Sequence, residues 1–220
     1  MMDDGIQSGA GRGQLELVGE LSQRRLLAIV RADGAETAIA CARVLVEAGV
    51  TALEVSLTTP GGVDAIGRLR GEFGDDVLLG AGTVMTASQA DAVLEAGAAF
   101  AVTPAITRGA LRSVEIGLPL ACGALTPSEI VAAVDLGAAA VKIFPAGVHG
   151  PSYFKELRGP LPDVRLVAVG GVTADSAPEY LRAGAVAVGV GSPLLGDAAK
   201  GGDLLQLKSR AQQFLEAVAG

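Results

Sequence analysis

The sequence predicts a (β/α)8 TIM barrel preceded by a short N-terminal helix. Eight short apolar segments recur along the 220 residues, and a segment with a helical pattern follows each of them. The apolar segments lack polar alternation, which is typical of strands buried on both faces of a parallel sheet. Four joints share the order helix end, glycine and strand: EAGVTALEV, EAGAAFAVTP, DLGAAAVKIFP and RAGAVAVGVGS. An open doubly wound sheet is the alternative, and the count of eight favours the closed barrel.

The predicted elements follow one another from residue 14 onward. Residues 1–13 are polar and glycine-rich and are expected to form a disordered tail, whereas residues 14–25 have an amphipathic helical pattern. The predicted strands are 26–30, 52–57, 77–84, 100–105, 118–124, 139–146, 165–171 and 186–192. Several helical stretches between them open on Asp, Ser or Thr and close on Gly, and the last covers about 203–218. Residues 14–220 are therefore predicted to be one domain.

Composition and charge argue against several classes of partner. A net charge of −7 disfavours binding to nucleic acid or to an anionic membrane. Two cysteines, Cys41 and Cys122, and one histidine, His149, supply no zinc-type cluster, so no metal or cofactor is expected. We see neither a signal-peptide pattern nor an apolar run long enough to span a membrane, and we expect a cytoplasmic protein.

One lysine interrupts the apolar segment AAVKIFPAG at residues 139–147. Burial disfavours a charged ammonium, and a deprotonated lysine is a nucleophile that forms Schiff bases with carbonyl compounds. Alternatively, Lys142 extends to solvent from a strand end, or pairs with a buried carboxylate in a purely structural role. Glu54, inside ALEVSL, is a second ionisable residue in an apolar strand and could be that partner. Both fall on even-numbered strands, which supply the same layers of a barrel interior, and such pairs cluster at functional sites.

Glycine-rich turns follow the last two predicted strands. AVGGV contains Gly170 and Gly171, and VGS contains Gly191 and Ser192. Loops after strands 7 and 8 are the usual phosphate site in this fold, because their backbone N–H groups bind anions. Tight turns use the same residues, so the position of the two motifs, rather than their composition, favours phosphate binding.

Six motifs in order, one per strand, carry a resemblance: LEVSL, GAGTV, FAVTP, AVKIFP, AVGGV and VGS. Over about 14–218 the chain resembles the class I 2-keto-3-deoxy-6-phosphogluconate (KDPG) aldolase family, with its 6-phosphogalactonate and 4-hydroxy-2-oxoglutarate relatives. The resemblance implies that Lys142 forms a Schiff base and that Glu54 shuttles protons. It also implies that Thr83, Pro104 and Phe144 line a pyruvate pocket, and that the two glycine-rich turns hold a phosphate.

One position departs from the family. The phosphogluconate branch carries an arginine four residues after the glutamate, and this chain has Thr58 there. Arg31 follows the first strand in LLAIVRA, as in the galactonate branch, and is expected either to bind a carboxylate or to close the barrel mouth through a salt bridge. Val169 and the stretch KIFPAGVHGPSYFKEL also resemble the galactonate branch, which the sequence therefore favours.

The resemblance implies a lyase reaction, the reversible aldol cleavage of a 2-keto-3-deoxy-6-phospho-sugar acid to pyruvate and glyceraldehyde 3-phosphate. It places that reaction in carbohydrate metabolism of the Entner-Doudoroff type and implies a homotrimer. Two other functions stay open: a phosphosugar epimerase or synthase, and a non-catalytic phosphate-binding barrel with a structural Lys142–Glu54 pair. Lys200 is expected to be solvated, and Ser56 only to complete hydrogen bonds at a strand end.

Overall fold

Eight parallel strands close into a barrel in the order β1 to β8, with β8 paired to β1. The structure is a computed structural model and describes residues 12–220.

The strands are β1 Leu26–Val30, β2 Ala52–Ser56, β3 Leu78–Gly82, β4 Ala101–Val102, β5 Leu120–Ala124, β6 Ala140–Ile143, β7 Leu166–Val169 and β8 Ala185–Val190. The helices are α1 Arg12–Arg24, α2 Ala35–Glu47, α3 Gly62–Phe73, α4 Ala87–Glu95, α5 Arg108–Glu115, α6 Pro127–Leu136, α7 Gly150–Arg158, α8 Ala177–Arg182, α9 Ser192–Leu195 and α10 Leu204–Ala219. Two 3-10 turns cover Ala146–Val148 and Gly196–Lys200. The predicted barrel with its N-terminal helix is confirmed.

The observed elements differ from the prediction at the start of α1 and at the ends of several strands. Helix α1 begins at Arg12, so residues 12 and 13 are helical, while the rest of the expected tail, residues 1–11, lies outside the described residues. Several strands end earlier than expected. β3 ends at Gly82 because Thr83 has a positive φ of 62°, and β7 ends at Val169 because Gly170 has a φ of 90°. A residue in the left-handed region cannot continue an extended strand, so each strand ends at the residue before it.

The barrel interior has its own apolar core, separate from the larger core between the sheet and the helices. Phe100, Val102, Val167 and Val169 belong to this inner core. Helix α1 covers its N-terminal end with Leu17 and Leu21. This arrangement leaves the opposite end, where the strands finish, as the open end of the barrel.

Strand periodicity directs the two ionisable residues into that interior. Side chains two residues apart in a strand share a face, and Ala52 and Ala140 both belong to the inner core. Glu54 and Lys142 follow those alanines by two residues and so face inward as well. They lie nearer the C-terminal ends of β2 and β6, one layer above the alanines.

Capping boxes anchor two of the loops at the open end. The Thr86 hydroxyl accepts from Gln89 N at 3.2 Å, and the Gln89 side chain accepts from Thr86 N at 3.1 Å. Thr126 and Glu129 form the same arrangement at the start of α6. These reciprocal bonds fix the entry into α4 and α6 after β3 and β5. None of the helices in the described part of the chain is both long and apolar enough to cross a membrane.

Candidate active site

A cavity of about 910 Å³ opens at the C-terminal ends of the strands. This is where active sites lie in barrels of this type. Nine of the ten predicted site residues line it: Arg31, Thr83, Pro104, Lys142, Phe144, Gly170, Gly171, Gly191 and Ser192. The tenth, Glu54, is buried beside the cavity. The fold thus brings together residues from seven different strands or the loops that follow them.

Lys142 reaches the cavity from the middle of β6 and is only 7% exposed. It is in register with Gly123 of β5 and Val167 of β7. Its Nζ lies over the Phe144 ring, 5.4 Å from the ring centroid, where the negative face of the ring attracts a cation. None of the ion pairs among the described residues involves Lys142. Its amine is therefore buried and directed to the cavity, and no carboxylate within the described part of the chain forms an ion pair with it.

Glu54 is 1% exposed and has an unused hydrogen-bonding oxygen. Its Oε2 is fully buried and has no hydrogen-bond partner among the described residues. Burial raises the pKa of the Glu54 carboxyl, and the positive charges of Lys142 and Arg31 offset that rise only in part. A buried carboxyl with a raised pKa and a free oxygen is suited to exchange a proton with a water or a substrate hydroxyl.

A missing side chain on the neighbouring strand makes room for that carboxyl. A Cβ atom on Gly82 of β3 would lie 2.6 Å from Glu54 Oε1, closer than real Cβ atoms come. The carboxyl therefore extends to the level of Gly82, one residue before the cavity-lining Thr83. Glycine at this position is what allows Glu54 to approach the open end of the barrel.

A cluster of hydroxyl groups lies behind Arg31. Arg31 Nε donates to Ser56 Oγ at 3.4 Å, and Ser56 Oγ lies 2.9 Å from Thr58 Oγ1 and 3.1 Å from Thr83 Oγ1. The predicted salt bridge of Arg31 at the barrel mouth is not formed with any residue that the structure describes. Arg31 is exposed and lines the cavity, so its remaining N–H groups are accessible to an anionic group there.

The turn after β7 presents free backbone donors to the cavity. Gly170 and Gly171 have φ values of 90° and 78°, a region that residues with side chains rarely adopt. Gly147 N donates to Gly170 O at 2.8 Å and ties this turn to the loop after β6. The N–H groups of Gly171 and Val172 donate to no acceptor within residues 12–220. Successive free N–H groups of this kind form a concave site for an anion.

The sequence did not reveal every residue of the cavity wall. Lys200, which we expected to be solvated and uninvolved, is exposed but lines the cavity at the end of the 3-10 turn Gly196–Lys200. Asp33 N donates to Ala199 O at 3.1 Å, which holds this turn beside the loop after β1. A 3-10 turn after the eighth strand leaves no periodic signal, so the pattern of residues could not place Lys200 at the mouth.

His149 lies outside the residues that line the cavity, and its ring centroid is 4.9 Å from that of Tyr153. Both cysteines are buried, and burial raises the pKa of the Cys41 thiol to about 11. Among the described residues, no group of three or more His, Cys, Asp and Glu side chains could hold a metal ion.

The closed barrel, with a cavity and a buried lysine at the C-terminal ends of its strands, has the architecture of a (β/α)8 enzyme. The chain belongs to the KDPG and KHG aldolase family, whose model matches residues 18–208. It is 37% identical over 171 residues to 2-dehydro-3-deoxy-6-phosphogalactonate aldolase of Escherichia coli (strain K12), covering 77% of this chain and 83% of the relative. It is therefore an aldolase, a type of lyase.

Two solved structures are similar to this barrel. The native KDPGal structure has a TM-score of 0.81 and 34% identity, over 87% of this chain and 93% of that one. The KDPG aldolase of Legionella pneumophila, with pyruvate captured at low pH as a covalent carbinolamine intermediate, has a TM-score of 0.77 and 29% identity, over 91% and 96% of the two chains.

Proposed function

We propose that this protein cleaves a 2-keto-3-deoxy-6-phospho-sugar acid into pyruvate and glyceraldehyde 3-phosphate through a Schiff base on Lys142. The observation that carries the proposal is the buried Lys142 amine, which faces the cavity and forms no ion pair with any residue in 12–220. The Escherichia coli relative is named for a substrate of this class, and the Legionella pneumophila structure is described with covalently captured pyruvate. Both facts support the same chemistry here.

The reaction begins with attack of the neutral Lys142 amine on the C2 ketone of the substrate. Loss of water gives a protonated imine, which is the electron acceptor for the next step. The C3–C4 bond then breaks and its electron pair moves into the imine to give an enamine. At the same time the C4 hydroxyl loses its proton and becomes the aldehyde of glyceraldehyde 3-phosphate. The enamine is protonated at C3, and water releases pyruvate and the free lysine.

Glu54 is the proposed carrier of these protons. Its carboxylate accepts the C4 hydroxyl proton, directly or through one water, and the resulting acid returns a proton to C3 of the enamine. A raised pKa suits both steps, because proton transfer is most effective when the pKa of the catalyst lies near the working pH. We propose that Oε2 is the atom that takes part, because it has no hydrogen-bond partner within residues 12–220.

The ends of the substrate occupy opposite sides of the cavity in this proposal. Arg31 binds the carboxylate, and Thr83, Pro104 and Phe144 surround the pyruvate half. The phosphate lies against Gly170, Gly171, Gly191 and Ser192, where the free N–H groups after β7 support anion binding. Arg31 and Val169 both line the cavity and favour the galactonate type of substrate over the gluconate type.

The physiological setting follows from the resemblance. We propose a cytoplasmic homotrimer that acts in sugar-acid breakdown of the Entner-Doudoroff type. Light scattering coupled to size-exclusion chromatography tests the assembly, because a trimer has a mass three times the 21.9 kDa of one chain.

Borohydride reduction in the presence of pyruvate tests the chemistry. We expect a reduced adduct, located on Lys142 by peptide mass mapping, and no adduct in a folded Lys142→Met variant. Lys155→Met is the matched control. Lys155 lies on α7 outside the cavity wall, so this variant should leave trapping unchanged.

A folded wild-type protein that forms no adduct would leave the epimerase and the phosphate-binding barrel as the functions to test. Turnover of the gluconate and galactonate epimers then assigns the substrate.

A further inference from the structure

We infer that Ser56 is a positioning residue for recognition of the substrate carboxylate. Its hydroxyl orients the Arg31 guanidinium and fixes the direction of the Thr83 hydroxyl proton. The inference rests on the proposed function, because it takes the carboxylate of pyruvate as the ligand. It assigns a role to a side chain that cannot itself contact the substrate.

Ser56 lies behind the cavity wall. It is the last residue of β2 and is 0% exposed. Arg31, Thr58 and Thr83, the residues around its hydroxyl, all line the cavity, whereas Ser56 does not. Any effect of Ser56 on a ligand must therefore pass through these neighbours.

Counting lone pairs limits which atoms of the cluster donate to Ser56. A serine hydroxyl has one proton to donate and two lone pairs. Arginine only donates, so the Arg31 Nε–H takes one lone pair of Ser56 Oγ. The backbone N–H of Thr58, at 3.4 Å, takes the second, which leaves the single Ser56 proton for Thr58 Oγ1 or Thr83 Oγ1. These two hydroxyl oxygens lie 2.9 Å and 3.1 Å from Ser56 Oγ.

In the proposed arrangement Ser56 donates its proton to Thr83 Oγ1, and the Thr83 hydroxyl proton stays free. The Thr83 oxygen then accepts within the cluster, and its own O–H points away from Ser56 toward the cavity. Thr83 is held in place by a backbone φ of 62°, which is unusual for a β-branched residue and is typical of strained functional positions. Thr83 thereby becomes a fixed hydroxyl donor at the cavity wall.

Arg31 and Thr83 together form a donor set that matches a carboxylate. With Nε–H bound to Ser56, the guanidinium retains its terminal N–H groups for one carboxylate oxygen or for both. The Thr83 hydroxyl supplies a further donor from the adjacent wall. Ser56 joins the two, so carboxylate affinity depends on a buried hydroxyl that the ligand never contacts.

Ser56→Ala tests this role through the pyruvate concentration that gives half-maximal borohydride trapping. We expect that concentration to rise about tenfold, the scale of one weakened hydrogen bond to a charged group. The trapping rate at saturating pyruvate should change less than about twofold, because Lys142 is untouched. Acetone has the ketone but no carboxylate, and its half-maximal concentration should be the same in both proteins. Ser56→Thr, which keeps the hydroxyl, should restore pyruvate affinity.

Ser113→Ala is the matched control. Ser113 is also 0% exposed and donates its hydroxyl to Gly109 O at 2.8 Å within α5, away from the cavity. It should lower thermal stability without altering trapping by either ketone. Unchanged pyruvate affinity in Ser56→Ala, or an equal loss with acetone, overturns the positioning role.

The outcomes separate this role from the proposed function. Failure of the wild-type protein to trap pyruvate contradicts the Schiff-base proposal itself, whereas normal wild-type trapping with an unaffected Ser56→Ala contradicts only the positioning role. If Ser56→Ala does not fold, Thr58→Val removes the hydroxyl that lies 2.9 Å from Ser56 Oγ. In that variant we expect the half-maximal pyruvate concentration to rise about threefold, again with no effect on acetone. No rise would overturn the inference.

Discussion

Replacing Glu54 by glutamine should make the protein more stable and nearly inactive. The carboxyl is 1% exposed, and its Oε2 has no hydrogen-bond partner among the described residues. An amide of the same shape avoids the cost of burying a charge. It also loses the attraction of Lys142 and Arg31, but the pKa of Glu54 is raised, which means that burial outweighs that attraction. We expect a gain of about 1–2 kcal/mol in the free energy of unfolding at neutral pH.

The gain should depend on pH in a defined direction. The pKa of Glu54 in the folded protein lies above its ordinary value of 4.5. Its contribution to stability is therefore complete below pH 4.5 and is lost as the pH rises through the folded-state pKa. The advantage of Glu54→Gln should be small near pH 4.5, grow as the pH rises, and become constant above the folded-state pKa.

Thermal unfolding of the two proteins between pH 4.5 and pH 8 measures this difference. For a domain of this size, about 1–2 kcal/mol corresponds to a rise in Tm of about 2–8 °C. Turnover should fall by about 10²–10⁴-fold, the usual contribution of a general acid–base residue. Glu129→Gln is a control in which stability should change in the opposite direction. Backbone N–H groups of Thr126 and Leu125 hold the pKa of the exposed Glu129 below its ordinary value. That variant should lose stability at neutral pH, and the loss should disappear in acid.

A Glu54→Gln variant that is less stable than the wild type at pH 8, or whose stability difference is constant over the pH range, would refute the reasoning. Either result would mean that the charge of Glu54 is well compensated inside the barrel. The proton-shuttle role would then have to be argued without a raised pKa.

Three further predictions concern the cavity. Lys142→Ala should abolish turnover while circular dichroism shows an intact fold, because it removes a buried amine that forms no ion pair with the residues the structure describes. Residual activity above about 1% would contradict the Schiff base. Gly171→Ala should raise the KM for the phosphorylated substrate and leave pyruvate trapping unchanged. The φ of Gly171 is 78° and a Cβ would lie 3.1 Å from Gly147 Cα, so the substitution should distort the proposed phosphate-binding turn. Impaired pyruvate trapping would argue against a phosphate role. Lys200→Gln should raise the KM for the phosphorylated substrate about threefold to tenfold, with kcat unchanged, because it removes a cation from the cavity mouth. Lys208→Gln, on α10, is the control for this variant.

Much of the fold was predictable because the barrel strands are buried on both faces. That burial leaves uninterrupted apolar runs, against which Glu54 and Lys142 are conspicuous. The ends of the strands were not predictable to the residue. A positive φ at Thr83 is imposed by the surrounding structure, since a threonine gives no local signal for that conformation.

The parts of the site that escaped prediction depend on distances between separate loops. Ser56 and Thr83 are 27 residues apart in the chain, and the pairing of β2 with β3 brings their hydroxyls to 3.1 Å. Lys200 reaches the mouth because the turn that carries it is bonded to the loop after β1. Hydropathy patterns describe which face of a strand is buried, and they contain no information on which polar atoms meet at its end.

The glycines beside the two ionisable residues limit how this enzyme could be redesigned. Glu54 is in register with Gly80, and Lys142 with Gly123, where a Cβ would lie 2.2 Å from a Pro104 backbone atom. Exchanging glycine for alanine is a common route to thermostability, but here the new Cβ would collide with the Phe100 ring at Gly80 or with the Pro104 backbone at Gly123. Room for bulkier substrates is better sought by shortening Ile29 or Val169, which line the cavity.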